Sequence, residues 1–215
     1  SVLILLIAHF AIGYLRYRAG HDHLLGLNRM FDLLREANVP TWYSSSTLLA
    51  CSVLLVSIAR AAQSKSAGLV WHWYGLAMLL AYMSMDEAAL IHETVQRQLR
   101  AGYQPEDAFY SVATILFPAF LVLAVGIAYL RFLTRLPRRT MMLFLAAAAI
   151  FVSGALLMDF VGELHKNERG EANMTYAMLT GFEEALEMVG VLVFLYGLLD
   201  YLESQIGPVT FAVEA

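Results

Sequence analysis

The sequence predicts an all-α fold: a polytopic transmembrane bundle of about six spanning helices with a short interfacial amphipathic helix. Three observations carry this expectation. Of the 215 residues, 60% are hydrophobic and only 15% charged, whereas soluble domains sit near 45–50% and about 25%. The apolar residues gather in segments approaching the ~20 residues that a helix needs to cross a bilayer. No alternating segments of the kind that build a membrane barrel are present. A mean hydropathy of +0.62 agrees.

The expected spans fall at 1–17, 44–62, 69–97, 109–132, 140–164 and 178–203, in a single integral membrane domain over 1–215. The first begins inside its apolar run. It lacks a basic leader and a small-residue cleavage site, so it reads as the tail of a spanning helix with residues missing upstream of Ser1, not as a signal peptide. Pro40, Gly68, Pro105, Pro137 and Gly170 each precede a span. Pro118 lies inside the fourth, where neighbouring helices satisfy the carbonyl it frees. In the longest connection, Leu24, Leu27, Phe31 and Leu34 recur at helical spacing among Arg29, Asp32, Arg35 and Glu36. They predict a helix over 24–37, lying in the interface or packed on the bundle as a loop helix. Trp42, Tyr43, Trp71, Trp73 and Tyr103 sit near span ends, as an aromatic belt requires, and Ser44, Ser45 and Ser46 read as helix capping.

A net charge of −4 leaves no basic footprint for nucleic acid. The single cysteine, Cys51, excludes an internal disulfide. The two short connections after spans two and four hold Arg60, Lys65, Arg131, Arg135, Arg138 and Arg139 with no acid between them. By the positive-inside rule that face is cytoplasmic, which suits a bacterial inner membrane.

Three segments carry ionisable groups that a bilayer makes expensive: Asp86 to Glu93, Asp159 to His165, and Glu183 to Glu187. A charge at a helix centre costs roughly 2.5–3.5 kcal/mol on insertion scales. Spans three and five run one way and span six the other, so all three segments meet the non-cytoplasmic face at similar depth. At helical spacing Asp86 and Glu93 share a face, as do Asp159 and Glu163, and Glu183 and Glu187. His92 and His165 point off these stripes and join only if the helix end unwinds. Facing carboxylates in a low dielectric need bound protons, a bound cation or basic partners, and few basic residues lie at that depth.

Carboxylates with imidazole are the ligand set of di-iron and di-manganese bundles. Two imidazoles and a carboxylate also suit zinc. The expected ligands are Asp86, His92, Glu93, Asp159, Glu163, His165, Glu183 and Glu187, for iron, manganese or zinc. The spacing of the soluble Glu-x-x-His motif is absent. Copper(I) on Met83, Met85, Met158, Met174, Met178 and Met188 ranks lower, since Met is common in membrane cores. Haem ranks lower too, with only His92 and His165 at matched depth. Two plainer accounts compete: acids solvated at headgroup level, and a polar network that packs helices. His9 reads as a hydrogen-bonded packing residue and His72 as an interface anchor. His21-Asp22-His23 reads as a solvated turn or as an arm reaching the acids.

Three functions follow. The first is a metal-dependent membrane enzyme, an oxidase or hydrolase acting on a lipid or hydrophobic substrate. The second is a proton or cation transporter or binding vestibule, one-sided because no acid follows in the cytoplasmic half until Asp200 and Glu203. The third is a non-catalytic subunit of a larger membrane complex. The partners expected are the lipid bilayer and other membrane subunits.

Overall fold

The computed structural model describes residues 2–18, 26–35, 37–64, 69–92, 94–95, 98 and 108–206. Among them the regular structure is helical throughout. In chain order the helices are α1 (Val2–Tyr17), α2 (Leu27–Phe31), α3 (Val39–Ser64), α4 (Val70–Ala89), α5 (Ala108–Leu133), α6 (Arg138–Val152), α7 (Asp159–Arg169) and α8 (Met174–Tyr201). A π-helical segment, Ser153–Met158, joins α6 to α7 without a break, and a second, Leu202–Ile206, prolongs α8.

Among the described residues four helices are long and apolar enough to cross a membrane: Val39–Gln63, Leu116–Leu133, Arg138–Arg169 and Met174–Ile206. They correspond to four of the six expected spans; those at 1–17 and 69–97 are not confirmed. Helix α1 is apolar but only 16 residues long. Helix α4 has 20 residues, about 30 Å at 1.5 Å per residue, but Trp71, His72, Trp73, Tyr74, Asp86 and Glu87 dilute its hydropathy.

Local chemistry sets the ends. The Asn38 side chain accepts hydrogen bonds from the Thr41 N–H and hydroxyl, each at 3.1 Å, and so caps α3. Pro40 falls in the first turn, where its missing N–H costs nothing. Gly170, with φ 74°, ends α7 in a conformation that only glycine adopts freely. Asn173 caps α8 by accepting the Tyr176 N–H at 2.9 Å.

The expected helix over 24–37 is corrected. It is helical only over Leu27–Phe31, because Asp32 turns extended and its carboxylate takes the Leu34 N–H at 3.1 Å, a local bond that competes with helix continuation. The serines expected to cap a helix lie inside α3 instead. Ser45 donates to the Ser84 carbonyl and Ser84 to the Ser45 carbonyl, both at 2.8 Å, which fastens α3 to α4.

Helix α8 is the centre of the bundle, packed against α6, the first π segment, α1, α3 and α7. It approaches them through glycines. A Cβ at Gly190 would lie 2.8 Å from the backbone nitrogen of Phe151, and one at Gly197 3.2 Å from Leu143 and Phe144. Small residues that bring backbones this close are the usual glue of membrane helices. Helix α5 stands at the periphery with Phe117, Phe120, Leu123 and Ile127 exposed, the outward apolar surface of a lipid-facing span.

One end of the bundle is dry and aromatic. Trp73 is 1% exposed; its ring meets Phe132 edge-on at 4.8 Å and Tyr201 at 4.9 Å. It is a core residue, not a member of the aromatic belt; its neighbour Trp71, 83% exposed, fits that role. His72 stacks on Phe132 at 5.4 Å, and its buried Nδ1 has no hydrogen-bond partner among the described residues.

A second buried junction ties α1 to the loop after α2. His9 is buried, as a packing histidine should be. Its Nε2 bonds the Ala177 carbonyl at 2.9 Å and its Nδ1 takes the Leu33 N–H at 3.1 Å. Asp32 lies beside it, 3.5 Å from Nδ1, with Arg35 at 3.6 Å and Arg16 at 3.8 Å. Burial pushes the Asp32 carboxyl up, but His9, the Leu34 N–H and Arg16 outweigh it and hold the group below its ordinary value.

Two predictions follow from these contacts. Gly190→Ala drives a methyl into the backbone of Phe151 and lowers stability by about 1–3 kcal/mol. Gly126→Ala, with nothing within 4 Å, stays within about 1 kcal/mol of the wild type; thermal unfolding in detergent compares the two. A depressed carboxyl stabilises above its unfolded value near ~3.9 and loses that contribution as the pH falls through the folded value. The wild type should therefore exceed Asp32→Asn in unfolding midpoint by a constant margin from about pH 5 to 8, closing below about pH 4.

Candidate functional site

The residues singled out in the sequence lie at the end of the bundle away from Trp73. Thirteen helical residues separate Trp73 from Asp86, about 20 Å of rise. Helix α4 does not run on to residue 97. It stops at Ala89, where Leu90 takes a left-handed conformation, φ 55° and ψ 41°, with its N–H on the Asp86 carbonyl. The helical pairing of Asp86 with Glu93 is thereby withdrawn, and Glu93 itself lies outside the described residues, as does His21-Asp22-His23.

Unwinding brings in the histidine instead. The His92 backbone N–H donates to Asp86 Oδ1 at 2.7 Å, and the ring Nδ1 lies 2.6 Å from Oδ2. Asp86 is half-buried and His92 half exposed. One carboxylate thus orients one imidazole, with Nδ1 turned to the acid and Nε2 turned away.

Asp159 opens α7 directly after the π segment and is exposed. It lies within Coulomb range of Glu163, His92 and Lys166. Glu163 shares Lys166 with Glu171, at 3.6 and 3.5 Å. His165 takes a separate course, its Nε2 3.0 Å from the Asn173 side-chain oxygen, which places it at the cap of α8 rather than with the acids.

Glu183 and Glu187 stand half-buried on α8, where α8 meets the π segment. A Cβ at Gly154 would lie 2.8 Å from the Glu183 carbonyl oxygen and 3.0 Å from Glu187 Cγ. Only a glycine permits that approach. Glu187 is within Coulomb range of Glu184, Glu183, Glu87 and Asp159, and Glu183 of Asp159 and Glu163. Neither Glu183 nor Glu187 makes a hydrogen bond or ion pair among the described residues. Glu87 and Glu184 are not among the eight expected ligands; Glu184 lies about 100° round α8 from Glu183. Adjacency to Asp86 and Glu183 was the signal available for them.

Chemically, the arrangement is a set of carboxylates from α4, α7 and α8 with one oriented imidazole and one shared ammonium. Seven of the eight expected ligands are described, Glu93 being the exception. Among the described residues no three His, Cys, Asp or Glu side chains are placed to hold a single metal ion. His92 is engaged by Asp86, and His165 by Asn173.

No curated protein and no solved structure matches this chain. A family model described as a domain of unknown function, DUF8692, matches residues 2–202, nearly the whole sequence and every helix named above, and the chain belongs to that family.

Proposed function

We propose that this chain is an integral membrane protein that binds protons or cations in a one-sided vestibule formed where α4, α7 and α8 meet. The four long apolar helices support the membrane setting. The observation that carries the vestibule is the position of Glu187, half-buried on α8 with its Cγ 3.0 Å from the place of a Cβ on Gly154 and within Coulomb range of Glu184, Glu183, Glu87 and Asp159. Like unit charges 4 Å apart repel by on the order of 4 kcal/mol at an effective dielectric of 20, and by less at longer range. A proton or a cation relieves that repulsion, and the nearby ammonium of Lys166 already serves Glu163 and Glu171.

The opposite end supports one-sidedness. Asp200 is paired with Arg139 at 2.9 Å, and α8 carries no charged residue from Met188 to Leu199. A full conduit distributes acids through the membrane depth; here they stop. With α4 also crossing, the arginine-rich short connections share one face, which we take as cytoplasmic, and the vestibule would lie on the other face of a bacterial inner membrane. The metal-dependent enzyme on a lipid substrate stands second. Iron, manganese or zinc needs three or more converging protein ligands, and the acids at this end leave room for that reading only with residues beyond those described.

Isothermal titration of the purified chain in uncharged detergent with protons or a monovalent cation tests the proposal. Wild type takes up the proton or cation, and Glu187→Gln lowers the affinity of that uptake by roughly tenfold, the loss expected of one well-placed charge worth about 1.4 kcal/mol. Glu168→Gln, at the exposed end of α7, leaves it unchanged. Equal uptake by Glu187→Gln and wild type rejects the vestibule. Stoichiometric iron, manganese or zinc that survives purification and is lost in Glu187→Gln replaces it with the metal reading.

A further inference from the structure

The spans Leu116–Leu133 and Arg138–Arg169 are joined by a tight turn over 134–137, at the end of the bundle where Trp73 is buried. Its inner side is anchored. Phe132 is fully buried and stacks on His72 at 5.4 Å, and Leu136 is buried in the same core. The backbone is held closed as well. The Arg135 N–H donates to the Phe132 carbonyl at 3.0 Å, the Leu136 N–H to the Leu133 carbonyl at 3.1 Å, and the Thr134 hydroxyl to the Arg131 carbonyl at 3.0 Å. Arg131, Arg135 and Arg138 remain on the outside of the turn, all exposed.

These three guanidinium groups are uncommitted. None has a side-chain hydrogen bond, ion pair or ring contact among the described residues. Arg139 differs, because its Nη2 lies 2.9 Å from Asp200 Oδ1 and donates to the Tyr196 hydroxyl at 3.0 Å. The acid nearest the turn in the fold is thus taken by Arg139. Glu203, exposed on the prolongation of α8, makes no ion pair with the other three.

Each helix extends its arginine into an exposed apolar stripe. On α5, Ile127 and Leu123 stand one and two turns before Arg131; on α6, Met142 and Leu145 follow Arg138 at i+4 and i+7. All four are exposed. In a bilayer such stripes lie in the hydrocarbon and the arginines at the level of the phosphates. Trp71, 83% exposed beside His72 in the sequence, marks the same interface, where Trp is enriched. A guanidinium binds phosphate through paired N–H donors, and a turn already fixed by its own backbone bonds needs no ordering to present them.

We propose that the α5–α6 turn is a binding site for an anionic phospholipid, with its phosphate on Arg131, Arg135 and Arg138 and its acyl chains along the two stripes. The site lies at the opposite end of the bundle from the acidic vestibule and shares with that reading only the membrane setting.

Native mass spectrometry of the full chain, released from uncharged detergent and titrated with phosphatidylglycerol or phosphatidylcholine, reads the site directly. Wild type binds phosphatidylglycerol more tightly than phosphatidylcholine. Arg131→Gln, Arg135→Gln and Arg138→Gln each weaken phosphatidylglycerol about fivefold, and the three together weaken it on the order of a hundredfold. Phosphatidylcholine binding stays as it was. Arg131→Lys with Arg135→Lys and Arg138→Lys keeps most of the affinity, and Arg169→Gln, at the far end of α7, keeps all of it. The replaced side chains make no polar contact that folding needs, and the single variants decide the matter should the triple variant unfold. Equal binding of the two lipids by wild type, or phosphatidylglycerol binding unchanged in the Gln variants, overturns the proposal and leaves the arginines as orienting charges. So does complete displacement of the lipid by inorganic phosphate, which marks a site for the free anion.

Discussion

Everything at the acidic end depends on how closely the backbones of α8 and the α6–α7 helix approach. Gly154 and Gly190 remove the side chains that would hold those helices apart, and the remaining contacts are backbone against backbone and against the Glu187 stem. Tight approach in a membrane is driven by packing, because lipid tails compete for apolar surface as well as leucine does. The consequence is electrostatic. With α7 and α8 this near, Asp159 and Glu163 fall within Coulomb range of Glu183, and Asp159 within that of Glu187. A looser pair of helices would let water separate the same charges.

The two ends of the bundle divide the work. Around Trp73, Phe132, Phe144 and Leu198 the side chains are buried and apolar; Arg139 is paired there with Asp200, while the buried Nδ1 of His72 has no partner among the described residues. That end supplies packing energy: a fully buried large apolar side chain is worth roughly 1.5–3 kcal/mol. The other end carries carboxylates from α4, α7 and α8, with Lys166 shared between Glu163 and Glu171. The His9–Asp32 junction lies between these regimes. It is buried but satisfied, and His9 joins α1 to α8 and to the loop after α2 through two hydrogen bonds.

The helical class and the two ends were legible in the sequence because apolar period and composition act along a single helix. Spans at 140–164 and 178–203 correspond to Arg138–Arg169 and Met174–Ile206, with differences only at the ends. Composition alone does not confirm α4 as a span, since it mixes Trp, His and acids into a helix of spanning length. The helix expected over 24–37 failed for a local reason: Asp32 has a partner in His9, more than twenty residues away, and a backbone bond to Leu34 that ends the helix. Neither is encoded in the spacing of Leu24, Leu27, Phe31 and Leu34.

The acidic stripes show the same limit more sharply. Their phase was counted along straight helices, at about 100° per residue. Helix α4 ends before Glu93, so the stripe through Asp86 has no second member on that helix, and the left-handed turn at Leu90 hands its place to His92. The π segment Ser153–Met158 widens the helix just before Asp159, which shifts every later residue relative to a straight-helix count. Asp159 consequently points outward to solvent while remaining in reach of His92, Glu163 and Lys166. An exposed acid within Coulomb range of an oriented imidazole on one side and of half-buried Glu183 and Glu187 on the other is where the proposed vestibule would meet bulk water. The irregular helix ends, invisible to periodicity, set that placement.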